Sequence, residues 1–485
     1  MPKPAPRPSS GPLPVPRLSR RAAVLAGAAG VAAWVTGGIG SARAQSGGRT
    51  VRVWTKKQTA ADAKPHPVRL VEDVAGLPAE ADVIGPYGGW AASPFRRAGT
   101  GFFTTGRHGG RWWLFDPEGL PFLSVGLNSV RGQNPGERDG GTLGAAAYAE
   151  RFGGEPERWR DQTQPMLHEH GFNTTGSWSD DALNRAGPAP LAYCPNANFM
   201  TTYGERERGG LAQGSGHKLY PGSCIFAFDP AFPAFCRRHA RQRLAATRDD
   251  PWLLGHFTDN ELPFPKDSLR RFLALAEGDP GRAEAARWVA EHGDGEASGE
   301  RWRGHVMDVY LGTVVEAIRA VDPNHLILGP RLYGSEKRCR PLVEAVGRHA
   351  DVLSTNHYYD WTPGRRIEEL SRWADRPVIV TEWYAKGEDS GMSNGSGAGW
   401  TVPTQADRGA FYQHYALSLL ETRGCVGWHW FKYRDNDPTN LNTDPSNRDS
   451  NKGIVTSVFE PYPPLLEHMK ELNRRVYAAA AALGG

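Results

Sequence analysis

Short runs of β-branched and aromatic residues recur along this chain. They alternate with stretches whose apolar positions fall every three to four residues. The first pattern, bounded by turn residues, predicts strands; the second predicts amphipathic helices. Eight strand-like runs follow one another: Leu123–Asn128, Gly171–Trp178, Leu191–Ala197, Leu253–Thr258, Leu326–Arg331, Val352–Tyr358, Val378–Glu382 and Val426–Phe431. Helical stretches lie between most of them, at Glu157–Glu169, Ala231–Thr247, Arg301–Ala320, Pro341–His349 and Arg408–Thr422, with a last one at Pro464–Leu483. That alternation predicts an α/β protein with parallel strands, and eight such units predict a (β/α)8 TIM barrel. An open doubly wound sheet is the alternative. It would carry a Gly-rich phosphate loop after its first strand, and none stands there.

Ahead of the first barrel strand, Arg111–Phe115 and Pro121–Val125 flank Asp116-Pro117-Glu118-Gly119, a type I turn with Pro second and Gly fourth. A hairpin is expected there. The chain then divides into residues 1–44, a β-rich extension over 45–109, and the barrel over 110–485. The Gly/Ser-rich stretch Glu388–Gly399 reads as a mobile loop.

Charge changes the picture at one end. The 57 basic and 53 acidic residues of the 485-residue chain leave a net +4, but the first 44 residues hold six Lys/Arg and no acid. The remainder is therefore nearly neutral, which argues against a nucleic-acid binder. Within 1–44, Arg20-Arg21 precede a short Gly/Ala-rich apolar run that ends in Ala42-Arg43-Ala44. This is the order of an export signal, of the twin-arginine type. It predicts a periplasmic or extracellular protein with no membrane segment after cleavage. The five cysteines show no C-x-x-C spacing; their odd number leaves one thiol unpaired and permits up to two disulfides.

In a parallel barrel, chemistry sits at the C-terminal ends of strands. Two predicted strands lead into a glutamate: the fourth runs to Thr258-Asp259-Asn260-Glu261, and the seventh ends at Glu382. Three βα units separate them, so a barrel brings both to one mouth. Glycoside hydrolysis uses such a pair, one acid to protonate the leaving oxygen and one carboxylate as nucleophile or base. Neither a cofactor nor a metal is called for. His168-Glu169-His170 is not H-E-x-x-H, and Arg434–Asp444 lacks the Gly and final Glu of a calcium hand.

Three segments carry a family resemblance. They are Trp113–Gly119 leading to Ser124–Asn128, then Gly255–Leu262, then Thr381–Gly387. Asn-Glu after strand four and Glu after strand seven resemble the clan A, or 4/7, glycoside hydrolases, and the three segments together are similar to the family 50 β-agarases. The resemblance covers residues 110–480 in pieces. It implies a retaining mechanism with Glu261 as acid/base, Glu382 as nucleophile and Asn260 at the sugar's 2-hydroxyl. Those agarases carry a sizeable N-terminal β-sandwich, for which the extension here is too short.

The resemblance also directs the choice of supporting residues. Tyr358 is expected to bond the nucleophile. Strand alternation puts Asn356 on the same face and His357 on the other, with His357 retained because strand ends twist. Trp430 is expected as the platform under the reacting sugar, preferred to Trp428 as nearer the strand end. Asn128 and Trp178 are expected to line subsites. Arg131, Arg331 and Lys432 read as solvated rim charges, with substrate hydroxyls or an acidic group as the alternative partner; Lys432 is kept among the substrate-binding candidates. The expected partner is a polysaccharide or oligosaccharide, an agarose-like galactan among them. A catalytically silent glycan-binding barrel and a transglycosylase are the competing readings.

Overall fold

All eight runs read as strands form parallel strands. In the computed structural model they are Ser124–Leu127 (β1), Thr174–Thr175 (β2), Ala192–Tyr193 (β3), Gly255–Phe257 (β4), Leu326–Gly329 (β5), Leu353–Asn356 (β6), Val378–Glu382 (β7) and Cys425–Trp430 (β8). The structure describes residues 48–137, 140–209, 220–443 and 448–484. The expected export signal at 1–44 lies outside them. Regular ladders gather the strands into a six-stranded parallel sheet, in the order β6-β7-β8-β1-β2-β3, and a separate pair, β5-β4. Single parallel bridges stand at both seams: Tyr193 to Leu253 and Asn196 to Phe257 on one side, Leu332 to Thr355 on the other. The fold is thus α/β with parallel sheet.

The strand sequences explain this arrangement. β7 is buried at every position, as a strand covered on both faces must be. One face of the strands presents Phe257, Leu328, Val352, Ile379 and Val426 to an apolar cluster that also takes in Leu114 and Phe122 of the hairpin. The other face, with Val125, Leu127, Val380 and Trp428, packs in a larger cluster with helix residues such as Val314 and Leu417.

The hairpin forms as expected. Arg111–Phe115 pairs antiparallel with Pro121–Phe122 and with Thr104–His108. Asp116 Oδ1 accepts from the Glu118 and Leu120 amides, and Gly119 takes φ +84°. The expected single helix at Pro464–Leu483 is two, Pro463–Asn473 and Val476–Gly484. Asp82 divides them: its amide donates to the Arg474 carbonyl, and its carboxylate caps the second helix at Tyr477 N (2.8 Å) and Ala478 N (3.1 Å).

The extension pairs with a later segment of the chain: Thr50–Thr55 lies antiparallel to Lys64–Pro67 and to Trp400–Val402, which runs parallel to Ala385–Gly387. One loop expectation changes. The Glu388–Gly399 segment, read as mobile, is tied from within. Lys386 Nζ donates to the Asn394 and Ser396 carbonyls at 3.0 and 3.1 Å, and Asn394 Nδ2 returns to the Gly387 carbonyl. All five cysteines are buried and free, so the permitted disulfides do not form. No described helix is long and apolar enough to cross a membrane.

Candidate active site

Strand ends deliver the two glutamates by different routes. Glu382 is the last residue of β7, and its Cα registers with Asn356, the last residue of β6. Glu261 stands four residues beyond β4 in a left-handed conformation, φ +53°. The turn that carries it is anchored by Asp259, whose carboxylate accepts from the Met200 and Thr201 amides (2.8 and 2.9 Å) and from Tyr310 Oη (2.6 Å). Tyr310 comes from the long helix Glu296–Arg319, so that helix positions Glu261 through Asp259.

Non-glycine residues with positive φ recur in this region. Ser129, Trp178, Asn198, Glu261, Arg331 and Tyr359 follow the ends of β1 through β6 in turn. Such backbone is costly for residues with a Cβ and clusters where function requires it.

A hydrogen-bonded cluster joins the two carboxylates. Tyr358 Oη donates to Glu382 Oε2. Arg331 Nη2 lies 2.9 Å from Glu382 Oε1 and donates to the Thr381 carbonyl at 3.0 Å. Arg331 Nη1 donates to Asn260 Oδ1 at 2.8 Å. Asn356 Nδ2 donates to Glu261 Oε1 at 2.8 Å and reaches Asn260 Oδ1 at 3.2 Å, while its Oδ1 accepts from Thr381 Oγ1. Burial pushes the Glu382 carboxyl above the usual carboxylate range. Arg331 opposes this, and the charge of Glu261 adds to it.

Glu261, Glu382, Asn260, Asn356 and Tyr358 therefore come together. Trp178 stands beside them, with the Arg331 guanidinium 4.5 Å over its ring and Phe431 edge-on at 5.8 Å. Asn128 is adjacent but buried between strands, its Nδ2 donating to the Thr381 carbonyl at 2.7 Å.

Three expected residues turn elsewhere. Trp430 faces the helices: its indole N–H donates to the Lys452 carbonyl, and its ring packs edge-on against Trp383 and Tyr412. The cause is an irregular register between Val378 and Ile379 opposite β8, with Gly427 at φ +156°. It sends Trp428 and Trp430 outward and His429 inward, where Nε2 meets Ser124 Oγ at 2.9 Å. Phe431 takes the mouth position, beside Trp178 and Tyr384. His357 bonds Asp360 at 2.7 Å and faces Lys337, and burial pushes its imidazole down to about 4. Lys432 is buried rather than solvated, its Nζ on Asn436; burial and then Arg131 push it down to about 7.

Arg331 was read as a rim charge and is fully buried at the centre of the cluster. Its position just past a strand end was the signal available; its stacking on Trp178 and Phe257, from two other strands, has no local trace. Lys452 is a second residue missed, with Nζ 4.8 Å from the Tyr384 ring and 5.4 Å from that of Phe431.

Among the described residues, one group has the spacing of metal ligands: His256, Asp322 and His325, all buried. Asp322 Oδ2 already bonds both imidazoles, at 2.7 and 2.8 Å. The aspartates of 434–444 that are described serve the backbone instead: Asp435 Oδ1 accepts from Lys452 and Gly453, and Asp437 from Gly144 and Thr439.

No family model matches this chain. It is 24% identical over 497 residues to β-agarase B of Vibrio sp. (strain JT0107), covering 81% of this chain and 50% of that protein. It is 25% identical to β-agarase A of the same strain, covering 76% of this chain and 45% of that protein. The chain thus spans about half the length of these curated relatives. Among solved structures, BpGH50 superposes with a TM-score of 0.77 at 25% identity, covering 90% of this chain and 96% of that one. The agarase AgWH50C has the same fold, with a TM-score of 0.68 at 22% identity over 82% of this chain and 67% of that one. The proteins that match this chain by sequence and by fold are glycosidases. More particularly, the homologues of this chain are family 50 β-agarases.

Proposed function

We propose that this chain is a retaining glycoside hydrolase that cleaves β-linked galactan, with Glu382 as nucleophile and Glu261 as acid/base. The observation that carries the reading is the pairing of two strand-end glutamates with different partners: Glu382 with Arg331 and Tyr358, Glu261 with Asn356. The galactan is inferred from the β-agarase homologues. Eight parallel strands joined at both seams by parallel bridges support a closed (β/α)8 barrel with the 4/7 placement of clan A. The twin-arginine segment supports export.

In the first step Glu382 attacks the anomeric carbon while Glu261 gives its proton to the departing glycosidic oxygen. Arg331 and Tyr358 hold the nucleophile ionised and aimed; Arg331 and Asn356 fix Asn260, which we assign to the 2-hydroxyl. Glu382 loses its charge on forming the glycosyl ester. In the second step Glu261, now a carboxylate, takes a proton from water, which attacks the same carbon and frees Glu382. Retention sets the carboxylates about 5 Å apart and inversion about 6.5–9.5 Å; retention is inferred here from the resemblance to the family 50 β-agarases. Trp178, Phe431 and Tyr384 are assigned as apolar surfaces for the sugar.

An activated 2-deoxy-2-fluoro-β-galactoside tests the mechanism. A retaining enzyme accumulates the glycosyl ester, so mass analysis should find one adduct per chain, on the peptide containing Glu382. Turnover of unfluorinated substrate without any adduct, or an adduct on another residue, overturns the assignment.

A further inference from the structure

Asn356 joins the two carboxylates through its side chain and its place at the end of β6. Its backbone carbonyl has another partner, Lys337 Nζ, which donates to it at 2.7 Å. Lys337 belongs to the short turn Gly334–Arg338 that follows β5, and its long side chain carries the ammonium inward to the end of β6. The turn is anchored from outside. Arg303, on the helix Glu296–Arg319, donates to Ser335 Oγ at 3.0 Å and to the Phe264 carbonyl at 2.7 Å. The second acceptor near Nζ is His357 Nδ1, at 3.4 Å. His357 Nε2 bonds Asp360 and so carries the proton of the neutral ring, which leaves Nδ1 as a lone pair. Both direct contacts of the ammonium are therefore neutral, and no carboxylate forms an ion pair with it among the described residues. The charged and titratable groups around it are Glu336 and Arg338 of its own turn, Glu261 after β4, and His357 and Asp360 after β6. Burial pulls the ammonium down, and Glu336, Asp360 and Glu261 hold it up.

Resting on the glycosidase reading above, we propose that Lys337 is a positioning residue for the acid/base: it fixes the Asn356 main chain that aims Glu261, and its charge offsets the Glu261 carboxylate once that has given up its proton. The need arises between the two steps. While the glycosyl ester stands, Glu382 is neutral and Glu261 is the anion, so negative charge has moved from the end of β7 to the turn after β4. Arg331 contacts Glu382 and Asn260 directly. Lys337 stands on the other side of Asn356, as a second cation whose field reaches Glu261.

The test uses the full chain and measures kcat/KM against pH on an agarose tetrasaccharide and on a dinitrophenyl β-galactoside, whose leaving group departs without protonation. Glu261 must be protonated to act on the tetrasaccharide, so its ionisation sets the basic limb. Removing the ammonium disfavours the carboxylate. In Lys337→Met that limb should move to higher pH by roughly half a unit or more, and the plateau should fall about fivefold with the lost hydrogen bond. The acid limb and the aryl galactoside should change little. Lys337→Gln keeps a donor for the Asn356 carbonyl without the charge, so it should show the limb shift with a smaller loss of rate, and it carries the test if Lys337→Met does not fold. Lys337→Arg should bring the limb back towards the wild type. A basic limb that stays in place in the folded uncharged variants, or an equal loss on both substrates, overturns the proposal. A wild type that cleaves no glycoside overturns the glycosidase reading instead, so the two failures are distinct.

Discussion

At the scale of residues, Arg331 does the most to set the chemistry. One guanidinium meets the carboxylate of Glu382, the carbonyl of Thr381 and the amide oxygen of Asn260. It is buried, always charged and flat, and lysine cannot reproduce that fork. Its positive charge opposes the rise that burial imposes on Glu382. The sign follows: in the proposed mechanism Glu382 must be ionised to attack, so activity should fall as pH drops through its raised pKa. Arg331→Met removes the opposing charge, raises that pKa further, and should move the acid limb of the kcat/KM profile to higher pH. Arg331→Lys should keep the limb nearer its original place while kcat/KM falls on the order of a hundredfold. An acid limb that does not move in Arg331→Met would show that the guanidinium does not govern Glu382. The two glutamates were legible in the sequence because each follows an apolar run, Glu382 as its last residue and Glu261 after the short polar stretch Thr258-Asp259-Asn260. Arg331 was not, because its burial is imposed by Trp178 and Phe257 from distant parts of the chain.

At the scale of elements, β8 shows where pattern reading works and where it stops. The run Val426–Phe431 was placed as a strand within one residue of its bounds, Cys425–Trp430. Period-two alternation could not say which aromatic faces the mouth, since one irregularity at Gly427 exchanges the two faces. Trp430 thereby becomes a core residue and Phe431 a mouth residue. Trp430→Ala should cost about 3–5 kcal/mol in denaturant unfolding, as large aromatic truncations in cores do. Trp430→Phe should keep kcat/KM within about threefold, whereas Phe431→Ala should lower it by roughly tenfold or more at little cost in stability. The opposite ranking in kinetics would return Trp430 to the substrate. The same limit applies to Pro464–Leu483: its helical pattern was visible, but the break comes from Asp82, almost 400 residues away in sequence.

At the scale of the whole molecule, the N-terminal extension is joined to the segment that follows the Glu382 strand. Thr50–Thr55 completes a small sheet with Trp400–Val402 and Ala385–Gly387, and so braces the loop that follows the Glu382 strand. Local sequence predicted a β-rich extension over 45–109, but neither the strands Trp400–Val402 and Ala385–Gly387 nor this partnership, which spans about 350 residues. The eight-strand order was legible because each strand and helix announces itself within a few residues. The same scale holds the central claim, that the molecule cleaves β-linked galactan with Glu382. The most direct measurement incubates the protein and its Glu382→Ala variant with agarose, porphyran, other β-galactans, β-glucans and β-mannans, and reads sugar release by chromatography. The account predicts release from a β-galactan by the wild type and its near-complete loss in the folded variant. Equal release by both proteins, or release from β-glucan or β-mannan alone, would contradict it.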